Sequence, residues 1–425
     1  TRPSSLTTPF RDLRSNPKRR LAMTKGINDL QPARLEQALA ARGLTKGQLA
    51  SLVGVAAPTV TKWCKGDQSP EAETFDRLAS VLNVLPEWLT RAPLPAVSTP
   101  LYRSNASALK AARSKLEART EWTQEVAYLL EDYVDYPVVN LPVREFLDPE
   151  QISNADIEAA AEECRSLWQL GRGPIQNLAL AAESAGILIV REETEISAIE
   201  GLSSWSALLG RPIVVLSADK ANAFRSRFDL AHEIGHLILH KHIPRADERD
   251  RYNQMEKQAH RFAAALLLPA ETFAGEVRVP PSLDNLLILK QRWGASVAAM
   301  MMRCHALGLL NDDEKLALFK RRSARWGSKA EPGDDKWAPE SPRLLRRTVE
   351  LLVGEGIVPA EGIPRHLGIG PRDVEKLCHL RDNYFSSPGE VVELATLRIA
   401  REDGQSTRRA DSPLASVVPF AKYRK

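Results

Sequence analysis

Two histidines and a glutamate lie close together in the segment RFDLAHEIGHLILH, which runs from Arg227 to His240. His232 and His236 are four residues apart, and residues i and i+4 share one face of an α-helix, so both imidazoles can point at one metal ion. Glu233 lies beside them, where its carboxylate can take a proton from a water held on the metal. This is the H-E-x-x-H arrangement of zinc hydrolases. The apolar residues around the three polar groups suit a buried active-site helix.

A third protein ligand is needed, because catalytic zinc sites usually combine three protein ligands with one open position. The best candidate is Glu256, in the following segment MEKQAHRFAAALLLP. That segment has apolar residues at helical spacing and ends at Pro269, so it predicts a second helix. His260, one turn further along, is a rival ligand or a supporting partner of Glu256. His240 and His242 come where the first helix should end. A positively charged side chain is favourable at a helix C-terminus, so we expect these two histidines to cap the helix rather than to bind the metal.

The segment from about Leu202 to Leu268 resembles the ImmA/IrrE family of zinc metallopeptidases. SSWSALLGRPIVVLSADK is similar to the edge strand of that family, RFDLAHEIGHLILH to its metal helix, and EKQAHRFAAALLLP to its E-x-x-A-N-x-F-A-x-x-L-L-x-P helix. His260 departs from the family pattern, which usually has Asn at that position. The resemblance implies one zinc ion with Glu233 as general base and three ligands, His232, His236 and Glu256.

The composition is that of a globular protein with more than one domain. A length of 425 residues suggests about two to four domains, and 43% hydrophobic with 26% charged residues is ordinary for folded proteins. A net charge of +4 does not by itself indicate a nucleic-acid-binding protein. The four cysteines are far apart without a C-x-x-C pair, which fits a reducing cytoplasm. Because no stretch has the length of a membrane span and the start lacks the apolar core of a signal peptide, we expect a cytoplasmic protein without a membrane partner.

The stretch from Leu30 to Leu89 predicts five short helices with tight turns. Within RGLTKGQLASLVGVAAPTVTKWCKGDQSP, Thr45 can cap one helix and Gly54 permits the sharp turn that ends it. A second helix then runs from about Ala57 to Cys64. This is the helix-turn-helix layout, in which the second helix enters the major groove of DNA. The whole stretch resembles the Xre/Cro family of repressor domains.

The candidate DNA contacts are less specific than the fold signature. Ala57 can only touch a thymine methyl group, and Pro58 donates no hydrogen bond. Six acidic residues balance six basic residues between Leu30 and Leu89, so a single domain should bind DNA weakly and dimerisation is expected. A role in protein contact is the alternative. The candidate DNA-contacting residues are Thr45, Gln48, Ala57, Thr59, Thr61 and Lys62.

The predicted fold class is mainly α with a small β-sheet (α+β). A proline-containing linker precedes a long periodic segment, 101–134, which predicts a helix that pairs with its copy in a dimer or packs on the peptidase. Two helices and a strand precede the metal helix, two strands flank Gly210, and two amphipathic helices follow. The predicted parts are a disordered basic tail (1–26), the helix-turn-helix domain (27–90), linker and long helix (91–139), a zincin-like metallopeptidase domain (140–320), a connector (321–343), a small helical domain (344–400) and a disordered tail (401–425).

Two functions of different classes follow from these features. In the first, a transcriptional regulator bound to a double-stranded DNA operator carries a zinc endopeptidase that cuts a regulatory protein, in particular a repressor, in a stress or mobile-element switch. In the second, the peptidase-like domain of a transcription factor only senses a ligand; an antitoxin-like regulator is a third option. An intact H-E-x-x-H with an acidic third ligand favours the first.

Overall fold

In the computed structural model, the chain forms 17 α-helices and one three-stranded sheet within its described residues. The predicted mainly helical α+β class is therefore confirmed. The predicted tails (1–26 and 401–425) lie outside the described residues, as does 387–400 of the predicted C-terminal domain. No described helix is long and apolar enough to cross a membrane. The described residues are 29–98, 107–193, 200–219, 222–244, 249–327 and 330–386.

The first described part is a bundle of five short helices, as the sequence predicts. The Thr45 hydroxyl accepts a hydrogen bond from the Gln48 N–H at 3.2 Å, and Gln48 Oε1 accepts one from the Thr45 N–H at 2.9 Å. This capping box satisfies the first free N–H groups of the second helix. Gly54 ends that helix at a φ of 80°, which glycine adopts without strain. The helices are α1 (Pro32–Arg42), α2 (Lys46–Val53), α3 (Ala57–Lys65), α4 (Ala72–Leu82) and α5 (Pro86–Thr90).

One long helix, α6 (Ser107–Glu131), lies between this bundle and the sheet. Its side chains Leu116, Trp122 and Val126 are fully buried in the same hydrophobic core as the five short helices. The helix therefore packs within its own chain, which is one of the two roles that its sequence pattern left open.

The three-stranded sheet is covered on both faces. The middle strand pairs in parallel with the first strand and antiparallel with the second. Because side chains alternate along a strand, Ile213 and Val215 join the core around α6, whereas Val214 and Leu216 join a second core on the opposite face. This double burial explains the continuous apolar run of the middle strand. The strands are β1 (Leu188–Glu192), β2 (Gly201–Ser206) and β3 (Arg211–Ser217), in the order β1-β3-β2.

The second core contains the two helices that carry the predicted metal ligands. These helices approach closely at Gly235, where an added Cβ would lie 3.1 Å from the Phe262 ring and 3.3 Å from the Cα of Ala259. A larger residue at this point would push the two helices apart. The helices of this half are α7 (Asn154–Leu167), α8 (Leu178–Ser184), α9 (Ala223–Leu239), α10 (Arg249–Leu267), α11 (Ala270–Glu276), α12 (Leu283–Trp293), α13 (Val297–Ala306) and α14 (Asp312–Trp326).

The last three helices return to the first core. Val349 and Val374 are fully buried in the same core as α6 and the five short helices. The Leu85 N–H donates to the Gly368 carbonyl at 2.7 Å, which adds a backbone connection to the bundle. The N-terminal bundle, the long helix and the C-terminal helices therefore share one core. The helices are α15 (Leu344–Gly354), α16 (Gly362–Leu367) and α17 (Pro371–Leu377).

A buried ion cluster joins the same parts of the chain. Asp373 of α17 accepts hydrogen bonds from Arg42 of α1 at 2.7 and 2.8 Å and from Arg119 of α6 at 2.7 Å. Arg119 also pairs with Glu192 at the end of β1, at 2.6 Å. Burial raises the pKa of Asp373, but the hydrogen bond from Arg42 and the charge of Arg119 outweigh burial, so this pKa is lowered. The carboxylate is thus charged and holds three elements together.

Replacing Asp373 by Asn should lower the free energy of unfolding at neutral pH by about 3–5 kcal/mol, because the buried Arg119 and the half-buried Arg42 would lose the anion that they share. Since the folded-state pKa is lowered, the contribution of Asp373 is fully present above the unfolded-state pKa of about 3.9 and is lost as pH falls through the folded-state pKa. Denaturant unfolding of both proteins between neutral and acidic pH measures this difference.

Asp312→Asn is the matched control, because Asp312 pairs with Lys315 at 2.7 Å while 85% of its side chain is exposed. Exposed ion pairs contribute little to stability, so this variant should unfold like the wild type. Equal losses in both variants, or a loss at Asp373 that persists unchanged in acid, would contradict the role of the cluster.

Candidate metal centre and DNA-binding surface

The two predicted histidines lie side by side on α9, and the predicted glutamate faces them from α10. The Nε2 atoms of His232 and His236 are 3.0 Å apart. Glu256 places one carboxylate oxygen 3.4 Å from His232 Nε2 and the other 3.4 Å from His236 Nε2. Among the described residues, these three form the group of His, Cys, Asp or Glu side chains that could hold a metal ion, with ligand atoms all within 4.8 Å of one another. The fold thus brings together residues from two separate helices.

The spacing of these three side chains fits a tetrahedral divalent ion. Ligand atoms about 2.1 Å from a tetrahedral ion lie about 3.4 Å from one another. Here the two Nε2 atoms are 3.0 Å apart, and each lies 3.4 Å from a different oxygen of the Glu256 carboxylate. Two imidazoles and one carboxylate also form a ligand set of catalytic sites, which leaves a fourth position for water or substrate.

The charge state of the cluster suits a cation. Burial raises the pKa of Glu256, but the neighbouring side chains of His232 and His236 outweigh burial and hold that pKa far below its usual range. Burial lowers the pKa of His232, yet the hydrogen bond to Glu256 and the charge of Glu233 act more strongly, so this pKa is raised. Two carboxylates therefore surround the imidazoles with negative charge.

Glu233 is held by the edge strand β2. The Ser203 hydroxyl donates a hydrogen bond to Glu233 Oε2 at 2.7 Å. An added Cβ at Gly201 would lie 3.2 Å from the Glu233 side chain and 3.2 Å from the Val215 carbonyl, so glycine allows this close contact. The sequence analysis missed both residues: Ser203 lies at the start of the predicted edge strand, and Gly201 lies two residues before it.

His240 was expected to be a positively charged residue at the end of α9, but it lies in a buried site. Its ring is fully buried, with Nδ1 2.9 Å from His236 Nδ1 and Nε2 3.1 Å from Gln258 Oε1. Burial and then the charge of His236 lower the pKa of His240 well below its ordinary value. His240 is therefore a neutral hydrogen-bond partner of the candidate ligand His236. Its spacing of four residues from His236 was the signal for this role.

Two further side chains surround the ligands on α10. His260 Nδ1 lies 2.7 Å from the Glu256 carbonyl oxygen, and its ring centroid lies 4.4 Å from that of His232. His260 thus contacts two of the candidate ligands without belonging to the three-residue group. Tyr252, one turn before Glu256, hydrogen-bonds to its carboxylate, and burial followed by the Glu256 charge raises the pKa of Tyr252. The i, i+4 spacing could have identified Tyr252.

The outer edge of β2 is partly occupied by the chain itself. The Ser98 N–H donates to the Trp205 carbonyl at 2.9 Å, and the Trp205 N–H donates to Ser98 Oγ at 2.6 Å. Lys241 Nζ lies 3.6 Å from the Trp205 ring centroid, within the range of a cation–π contact. Along an antiparallel edge strand, the backbone N–H and C=O of every second residue face outward. After Trp205, the next outward-facing backbone groups of β2 therefore belong to Ser203, beside Glu233.

The candidate DNA contacts lie at the start of α2 and along α3. Gln48, Ala57 and Lys62 are exposed. The Thr61 hydroxyl donates to the Ala57 carbonyl of its own helix at 3.2 Å, and Thr59 is half-buried. Thr45 is exposed but uses its hydroxyl in the capping box. Lys62 is thus the exposed cation among these residues.

Comparison with protein-family models gives two matches. Residues 182–305 match a peptidase family model described as the IrrE N-terminal-like domain. Residues 35–89 match the helix-turn-helix model. The chain joins a helix-turn-helix domain to an IrrE-like peptidase domain. The IrrE-like domain contains β1–β3 and all three candidate ligands, and its family implies a metal, typically zinc. No curated protein matches the chain.

Replacing Lys62 by Gln should weaken binding to DNA of any sequence, because one phosphate would no longer be neutralised. The slope of log affinity against log salt concentration should fall by about 1. Fluorescence anisotropy at several salt concentrations measures this slope, with a duplex that the wild-type protein selects from a random pool.

Lys320→Gln is the control, because Lys320 is an exposed lysine of α14, outside the helix-turn-helix domain. Its salt slope should equal that of the wild type. An unchanged slope for Lys62→Gln would exclude a phosphate contact at this position.

Proposed function

We propose that the protein is a DNA-binding transcriptional regulator whose IrrE-like domain is a zinc-dependent endopeptidase. Its substrate is a regulatory protein, of which a repressor is the expected class, in a stress or mobile-element switch in the cytoplasm. Its partners are a double-stranded DNA operator, the protein substrate and, for sufficient DNA affinity, a second copy of the chain.

One observation carries the catalytic part of this proposal. His232, His236 and Glu256 present three ligand atoms within 4.8 Å of one another, on helices α9 and α10, which belong to a domain of a peptidase family. A domain that only senses a ligand has no need of an H-E-x-x-H helix with its carboxylate held in place. The Ser203–Glu233 hydrogen bond of 2.7 Å therefore favours hydrolysis over sensing.

The proposed reaction is hydrolysis of a peptide bond by water. When bound, zinc supplies a water of lowered pKa, about 7, and polarises the peptide carbonyl. Glu233 accepts a proton from the attacking water and returns it to the leaving amine nitrogen as the C–N bond breaks. Ser203 keeps the Glu233 carboxylate in one orientation by donating to Oε2.

An extended peptide beside β2 is the proposed form of the substrate. Exposed edge strands bind peptides through backbone hydrogen bonds. Ser98 already binds the edge at Trp205 through one backbone hydrogen bond and one hydrogen bond to its side chain. The neighbouring outward groups at Ser203 lie next to the Glu233 carboxylate. A peptide bound there would have its backbone close to the general base.

Replacing Glu233 by Gln should reduce cleavage by about 10²–10⁴-fold while zinc stays bound, because only the proton acceptor is lost. Cells expressing either protein would be compared by mass spectrometry of newly formed protein N-termini. Each candidate substrate would then be purified and incubated with wild-type protein, with a chelator, and with zinc restored.

New termini that require both Glu233 and zinc would support the endopeptidase. Zinc bound in the wild type, with no cleavage in any incubation, would favour the sensing function instead. Cleavage that persists in Glu233→Gln would exclude Glu233 as the general base.

The identity of the third ligand can be tested by a pair of variants on α10. Glu256→Gln should lose most of the bound zinc, because an anionic ligand becomes a neutral amide. His260→Asn should keep close to equimolar zinc, because His260 contacts the ligands from outside the group. Metal analysis of the purified proteins measures both. The reverse result would make His260 the ligand.

A further inference from the structure

We propose that His240 is a positioning residue that holds His236 in the one neutral tautomer able to bind a metal through Nε2. The direction of the hydrogen bonds is set by Gln258 and by two backbone carbonyls near the start of α7. This inference rests on the zinc site of the proposed function, but its test does not depend on cleavage.

The hydrogen-bond chain begins at a turn before α7. Gln258 Nε2 donates to the Pro149 carbonyl at 2.7 Å and to the Ile152 carbonyl at 3.3 Å. Carbonyl oxygens only accept hydrogen bonds, so the amide must direct its NH₂ group toward them. Gln258 Oε1 then faces His240, at 3.1 Å from Nε2.

The direction of each later bond follows from this orientation. His240 Nε2 must carry a proton, because an amide oxygen only accepts. In a neutral imidazole the other nitrogen is then bare, so His240 Nδ1 accepts a hydrogen bond from the Nδ1–H of His236, 2.9 Å away. With its proton on Nδ1, His236 presents a bare Nε2 toward His232 and Glu256. A bare Nε2 is what a metal ligand requires.

The opposite direction is disfavoured at two buried positions. If His240 carried its proton on Nδ1, its bare Nε2 would face Gln258 Oε1, and two acceptors would oppose each other. If the Gln258 amide were turned to relieve this, Oε1 would face the Pro149 and Ile152 carbonyls. Each arrangement leaves buried polar atoms without a hydrogen bond, which is costly. The carbonyls near α7 therefore decide the tautomer of a side chain on α9.

The other histidine ligand is not held in this way. His232 Nδ1 is buried and has no hydrogen-bond partner among the described residues. Partners of the second nitrogen orient metal-bound histidines and set their tautomers. We therefore infer that His236 is the preorganised ligand of the pair and that His240 accounts for the difference.

The tautomers can be read directly by NMR. Protein labelled with ¹⁵N only at histidine contains eight imidazoles, and long-range ¹H–¹⁵N correlations distinguish a proton on Nδ1 from one on Nε2. The His236 signals are assigned from a His236→Asn variant. We expect the Nδ1–H tautomer at His236 in metal-free wild-type protein. The Nε2–H tautomer at His236 would overturn the proposal.

Two variants remove the hydrogen-bond chain at different steps. His240→Phe keeps a ring in the buried site but removes the acceptor of His236, so zinc affinity measured by chelator competition should fall about 10–100-fold. Gln258→Met keeps the side-chain length and should produce a smaller loss. In both, the metal-free protein should show a mixture of His236 tautomers. If His240→Phe does not fold, the Gln258→Met variant alone tests the role of the hydrogen-bond chain.

Ile238→Val is the control for general loosening of the helix, because Ile238 is a buried residue of α9 in the apolar core. It should lower the melting temperature while leaving zinc affinity and the His236 tautomer unchanged. Equal zinc affinity in wild type, His240→Phe and Gln258→Met would overturn the proposal. An equal loss of zinc affinity in Ile238→Val would also overturn the proposal, because the loss would then come from looser packing of α9.

The outcome separates this inference from the proposed function. Zinc binding with the expected tautomer but without cleavage would contradict the endopeptidase and leave the role of His240 intact. If the wild type bound no zinc, the metal-free spectra would still decide the tautomer. Cleavage together with the wrong tautomer would contradict only the role of His240.

Discussion

Burial of one small sheet on both faces is the constraint on which the rest of the structure depends. β3 sends alternate side chains into two different hydrophobic cores, so helices must cover both sides. One side is covered by α9 and other helices of the second core. The other is covered by α6, α15 and α17, and the helix-turn-helix bundle packs on α6. α6 and the sheet therefore separate the helix-turn-helix bundle from the helices that carry the candidate metal ligands.

The metal centre shows how polar groups are accommodated beside such a core. α9 is buried along most of its length, so its polar side chains need partners. Glu233 receives one from Ser203, and His236 receives one from His240. These partners come from an edge strand and from the end of the helix itself, and both lie outside the H-E-x-x-H motif. The structure thus surrounds the motif with the side chains that orient it.

α6 connects the helix-turn-helix domain with the IrrE-like domain. Arg119 of α6 contacts Asp373 and Glu192, and the same cluster includes Arg42 of the first helix. A buried charge cluster of this kind has few alternative geometries, because any separation leaves an arginine or a carboxylate unpaired. The described part of the chain therefore offers a direct physical path between the DNA-binding bundle and the strand β1 of the peptidase domain.

Local patterns in the sequence determined the helix-turn-helix bundle, the fold class, the two helices around the metal centre and the strands about Gly210, since periodicity and capping act over a few residues. The same patterns proposed His232, His236 and Glu256 as a group. Only the tertiary structure decided that Ser203 contacts Glu233, that His240 is buried and neutral, and that the first, sixth and last helices share a core. These contacts join residues far apart in the chain or depend on burial, and neither follows from local spacing. Helices packing on both faces of the sheet bring these distant residues into contact.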